Sequence, residues 1–132
     1  MIKHTQIRHA IKEAIEPHAN GVTVFDGRPF FVDENDFPAI AVYITDAIST
    51  GENLDEDSWQ AIVHIEVFLS ANNPDAELDK WVEAVIYPAL TSIPALSELI
   101  ENMTPNGYDY HRDEEMGLWG SVDLHYQINY SM

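Results

Sequence analysis

Twelve residues at positions 58–69, Ser-Trp-Gln-Ala-Ile-Val-His-Ile-Glu-Val-Phe-Leu, restrict the possible folds of this chain more than any other segment. Trp59, Ala61, Val63, Ile65, Val67 and Leu69 recur at every second position, with Gln60, Ile62, His64, Glu66 and Phe68 between them. A period of two is that of a β-strand, whose side chains point alternately to opposite faces. The first set must therefore face a core. The second set is mixed, and suits a surface that meets water or another subunit. A strand with one such face needs a sheet around it and a layer of other elements to cover it.

The rest of the chain supplies both. Ile7, Ile11 and Ile15 recur at i+4 with Ala10 and Ala14 beside them, which predicts an amphipathic helix over residues 5–16. Thr5 is placed to cap it, and Pro17 stops its continuation. Residues 22–25 form a short strand candidate before Asp26-Gly27, a hairpin turn pair. Residues 30–32 would be the return arm. Residues 39–45 read as a central strand, apolar on both faces, and residues 46–57 as a long acidic loop. A helix begins near Asn73 or Asp75. Its apolar stripe is Leu78, Trp81, Val82, Val85 and Ile86, and Pro88 is expected to kink or end it. A short helix is expected over residues 94–103, then a turn at Pro105-Asn106-Gly107, then strands over residues 108–112 and 122–130. With no repeat or linker, this reads as a single domain over residues 1–132. Its class is α+β: a mixed, mainly antiparallel sheet with helices packed on one face, plus a small β-hairpin.

Charge narrows the function classes. Six Lys and Arg stand against 23 Asp and Glu, for a formal net charge of −17. Such a surface repels nucleic acid and anionic membrane and attracts divalent cations and basic protein patches. The chain has no cysteine, which excludes disulfides and thiolate metal sites. There is no signal-peptide pattern and no apolar run near the roughly 18 residues that span a bilayer, so a soluble, unexported protein is expected. No H-E-x-x-H or glycine-rich phosphate loop is present. An acidic DNA mimic that inhibits a host DNA-binding protein is an alternative, but the acids are scattered in loops rather than spaced in phosphate-like rows.

Several strings are more specific. Phe25-Asp26-Gly27-Arg28-Pro29, Asp36-Phe37-Pro38-Ala39-Ile40-Ala41-Val42-Tyr43 and His64-Ile65-Glu66-Val67-Phe68-Leu69 resemble the minor tail protein U family of lambda-like phages. So do Pro74-Asp75-Ala76-Glu77-Leu78-Asp79, Ile93-Pro94-Ala95-Leu96-Ser97 and Gly107-Tyr108-Asp109-Tyr110. The likeness is collinear over essentially the whole chain. Departures are an additional residue near the N-terminus and Asn72-Asn73 in place of a more apolar pair. The resemblance implies a non-enzymatic tail terminator of the virion, assembled in the host cytoplasm at the head-proximal end of the tail. It implies a homo-hexameric ring that stops polymerisation of the tail-tube protein and then meets the connector proteins of the head.

Within that frame the site candidates are few. Asp75 is either a helix cap or first-turn acid, or a ring contact and divalent-cation ligand; Mg²⁺ favours one or two carboxylates plus water. No other cofactor is expected. Arg28 is either a turn-flanking surface arginine or half of an intersubunit ion pair. Glu52, Asp55, Glu56 and Asp57, and then Asp113, Glu114 and Glu115, form two acidic clusters. Ordinarily these are solvated faces. In a ring, some would line a lumen through which DNA slides without sticking. His64 and Glu66 share a strand face, and His111 lies near Asp113. Such pairs can ligate metal or exchange protons, but a hydrogen bond across the sheet is the commoner outcome. Tyr108, Tyr110, Trp119, Tyr126 and Tyr130 are equally suited to an interface or a core.

Overall fold

A computed structural model describes residues 2–19, 21–27, 38–50, 57–70, 74–112 and 119–131. Five strands form one sheet in the order β1-β2-β3-β5-β4. They are β1 (Thr23–Asp26), β2 (Ala39–Ser49), β3 (Ser58–Ser70), β4 (Asn102–Arg112) and β5 (Trp119–Ser131). β1 runs parallel to β2, and the β2–β3, β3–β5 and β5–β4 pairs are antiparallel. The α+β class expected from the sequence is thus the observed one.

The alternation in β3 sets the core. Val63, Ile65 and Val67 face Tyr126, Leu124 and Val122 of β5 on one side and Ile44, Val42 and Ile40 of β2 on the other. Helix α1 (Ile2–Ile15) lays Ile7, Ile11 and Ile15 on this face, and α2 (Pro74–Trp81) with its continuation adds Leu78, Val82 and Ile86. All of these except Tyr126, Ile44 and Val82 are wholly shielded from solvent. Burying each such side chain is worth about 1.5–3 kcal/mol. The helices therefore cover one face of the sheet, as the period-two pattern required.

Several boundaries differ from expectation. α1 starts before Thr5, so Thr5 is not its cap; its hydroxyl accepts a hydrogen bond from Arg8 Nη2 at 3.3 Å inside the helix. At Pro17 the α-helix tightens into a 3₁₀ turn, Glu16–His18. Pro88 does not end the second helix. A π-helical turn (Val82–Ile86) precedes it, with Tyr87 N–H bonding to Val82 C=O, and α3 (Tyr87–Leu90) follows without a break. The wider turn relieves the clash and the lost donor that proline brings. α4 is only Pro94–Ser97, because β4 claims the chain from Asn102.

Strand β2 also runs past its expected end. It passes a bulge between Thr45 and Ile48, where Asp46 takes φ 56°, a conformation that Asp tolerates better than most residues. The expected turn at Pro105-Asn106-Gly107 is instead a bulge within β4, which is an edge strand, a position where the missing proline N–H is tolerated. The hairpin arm expected over residues 30–32 lies outside the described residues.

Candidate functional site

The second face of the sheet is not the open, mixed surface its composition suggested. Ala39, Ala41, Tyr43 and Phe68 form a buried cluster there, with Phe25 and Trp119 packed against it. Beside that cluster is a row of acids. Glu66 of β3 stands opposite Asp123 of β5, and Asp123 stands opposite Asp109 of β4. Glu66 is 6% and Asp123 4% exposed. Like charges directly opposite across strands destabilise a sheet, and buried charges need partners.

The partners come from the same face. The Tyr43 hydroxyl lies 2.8 Å from Glu66 Oε1 and 3.2 Å from Asp123 Oδ2, so one proton is shared by two carboxylates. Ser121 Oγ donates to Glu66 Oε2 at 2.6 Å. His64 stacks on Tyr43, ring centroids 4.5 Å apart. Its Nδ1 is 3.0 Å from both oxygens of Asp123, and its Nε2 is 2.6 Å from Thr45 Oγ1. His125, cross-strand to His64, brings Nε2 to 3.1 Å from Asp123 Oδ2 and 3.4 Å from Asp109 Oδ2. Burial alone would push the Asp123 carboxyl up. The hydrogen bond and charge of His64, with the charge of His125, outweigh that and hold it below the usual carboxylate value.

His64 and Glu66, paired in the sequence reading, are thus neighbours of one network. Asp123 and His125 were missed. The signal was present, because placing Val122, Leu124 and Tyr126 inward forces Asp123 and His125 onto the opposite face. Only the register of β5 on β3 brings them to His64. His111 is exposed on β4.

The remaining candidates lie elsewhere. Asp75 is in the first turn of α2, not at its cap, where a carboxylate complements the helix dipole. It is about half exposed and pairs with Arg112 of β4 at 3.4 Å. One turn on, Asp79 Oδ1 accepts a hydrogen bond from Tyr110 at 2.6 Å. That bond, with burial and the nearby acids, pushes the Tyr110 phenol up to about 12. Asp57 is exposed beside the start of β3. Arg28, Glu52, Asp55, Glu56, Asp113, Glu114 and Glu115 lie outside the described residues. The aromatics divide. Tyr126 and Tyr130 are core, Tyr130 touching His4, while Tyr108 and Tyr110 are exposed on edge strand β4 and Trp119 packs on Phe68.

Residues 2–130 match the family described as phage minor tail protein U. The chain belongs to that family. Tail tube terminator proteins of two phages are similar to it along their full length. The one from Escherichia phage lambda is 58% identical over 99% of this chain and 100% of its own. The one from Escherichia phage N15 is 54% identical over the same shares. A chain from the virion of a native gene transfer agent particle aligns over 95% of this chain and 94% of its own, with a TM-score of 0.56 at 11% identity. At that identity the likeness speaks for the fold alone. Among the described residues, no helix is long and apolar enough to cross a membrane.

Proposed function

We propose that this chain is a tail terminator. Six copies close into a ring on the end of the tail tube, stop its polymerisation at the correct length and offer the other rim to the head connector proteins. The observation that carries the reading is the full-length similarity, at 54–58% identity, to two proteins named tail tube terminators. The role requires no catalysis, and none is proposed.

A six-fold ring is head-to-tail, so each subunit needs two different complementary patches. Edge strand β4 is one suitable patch, since ten of its eleven residues are exposed, including Tyr108 and Tyr110. The first turns of α2 beside it, where Asp75 pairs with Arg112 of β4 and Asp79 with Tyr110, supply charge. At −17 per copy, closure sets many like charges side by side. Mg²⁺ held by Asp75 and water would offset part of that repulsion, and Arg28 would meet an acid of the next subunit. The acid clusters at residues 52–57 and 113–115 would face the lumen in part, repelling DNA within about 8–10 Å.

Analytical ultracentrifugation with and without Mg²⁺ tests the assembly. The unaltered chain should sediment as a hexamer in Mg²⁺ and shift toward monomer at low salt without it. Asp75→Ala and Arg28→Glu should lose the hexamer with little change in thermal midpoint. Monomers of the unaltered chain under every condition would defeat the ring reading.

A further inference from the structure

We propose that the second face of the sheet carries a transition-metal site of the zinc class, built from His64, Asp123 and His125 with Asp109 completing it. This site is independent of the assembly role. One donor atom from each of the first three residues lies within 4.8 Å of the others. The Asp123 oxygens are 3.0 Å from His64 Nδ1 and 3.1 Å from His125 Nε2, and Asp109 Oδ2 is 3.4 Å from His125 Nε2. Zinc binds imidazole nitrogen and carboxylate oxygen at about 2.0–2.2 Å, so the donors of a tetrahedral site sit roughly 3.3–3.5 Å apart. The Asp123 contacts to both imidazoles are already near that spacing, while Asp109, which lies outside the 4.8 Å group, must swing its exposed carboxylate inward to become the fourth ligand. Two imidazoles and two carboxylates form a set suited to zinc and its first-row neighbours rather than to Mg²⁺.

Two further observations point to a cation. His125 Nε2 is buried and makes no hydrogen bond, although two carboxylate oxygens lie close to it. And Glu66, Asp123 and Asp109 form a row of acids across three strands. Among the described residues, Asp123 and Asp109 form ion pairs with histidines alone and Glu66 is held by the hydroxyls of Tyr43 and Ser121, while Arg8, Lys80 and Arg112 pair with Asp26, Glu77 and Asp75. The surrounding groups are those a bound metal needs. With Nδ1 of His64 on the metal, its Nε2–H donates to Thr45 Oγ1, which lies 3.1 Å from Asp46 Oδ2. The Tyr43 hydroxyl donates to Asp123 Oδ2 and helps to fix that carboxylate. An ion here would tie β3, β5 and β4 together on the face the helices leave uncovered.

The test is equilibrium dialysis of the chelator-treated full chain against micromolar Zn²⁺, with elemental analysis, and a Co²⁺ absorption spectrum as a readout of coordination. The expected result is one Zn²⁺ per chain, a tetrahedral Co²⁺ spectrum and a thermal midpoint raised by several degrees. His125→Ala and Asp109→Asn should each lower affinity tenfold or more, while His9→Ala, on the exposed side of α1, should leave it unchanged. Asp109 is largely exposed, so its variant answers the question even where His125→Ala fails to fold. The site is rejected if the unaltered chain takes up no stoichiometric zinc, if Asp109→Asn and any folded His125→Ala bind as well as it does, or if the His9 variant loses the ion.

Discussion

Removing one oxygen atom from Tyr43 isolates the polar network from the packing around it. Tyr43→Phe keeps the ring that stacks on His64 and packs beside Ala39, Ala41 and Phe68. It deletes the proton shared by Glu66 and Asp123, at 2.8 and 3.2 Å. Both carboxylates are almost fully buried, so water cannot fully replace the donor. A hydrogen bond to a charged group contributes about 1.5–3 kcal/mol, and a buried group left short of a partner costs about the same range. Glu66 keeps Ser121 and Asp123 keeps its histidines, so we expect a loss of about 2 kcal/mol. For a domain of this size that corresponds to roughly 6–10 °C in the thermal midpoint. Thermal unfolding followed by circular dichroism at neutral pH and fixed salt measures it, with near-ultraviolet spectra checking that the fold is retained. A fall of under 2 °C would refute the argument that Tyr43 compensates the paired acids.

Ile65→Ala empties the middle of the core, where the side chain is wholly buried, and should cost about 2–5 kcal/mol in urea unfolding. Asp123 has its folded pKa below the unfolded value of about 3.9. Its contribution is therefore complete above that value and is lost as pH falls through the lower folded one. Asp123→Asn should flatten the acid limb of the stability–pH curve, and an unchanged limb would remove Asp123 from the network. Burial also raises the Tyr126 and Tyr130 phenols, but the Tyr110 phenol should ionise near 12 in an ultraviolet titration and Asp79→Asn should bring that ionisation back toward 10. A titration unchanged by Asp79→Asn would show that the Tyr110–Asp79 bond is not formed in solution.

The sequence displayed the interior strands because burial imposes period two on them, and 58–69 and 122–130 are where that pressure is strongest. β4 escaped in part because it is an edge strand with almost no buried positions. Without alternation, Pro105-Asn106-Gly107 looks like a turn although it is only a bulge. Proline usually kinks or ends a helix, and nothing local announces the π turn at Val82–Ile86 that carries the helix through Pro88. Asp46–Ser49 reads as loop in the sequence because a bulge interrupts the alternation there. Alternation assigns residues to faces but does not say what covers each face. That is why the second side of β3 was expected to be open, whereas Glu66 and Phe68 are buried. It is also why His64 and Glu66 stood as an isolated pair until the cross-strand register supplied Asp123 and His125.

Whether this chain ends the tail tube can be read from tail lengths in electron micrographs of particles assembled without it. Tubes that overrun the normal length and carry no heads are expected, with supply of the unaltered chain restoring both. Tubes of uniform normal length joined to heads in its absence would contradict that role.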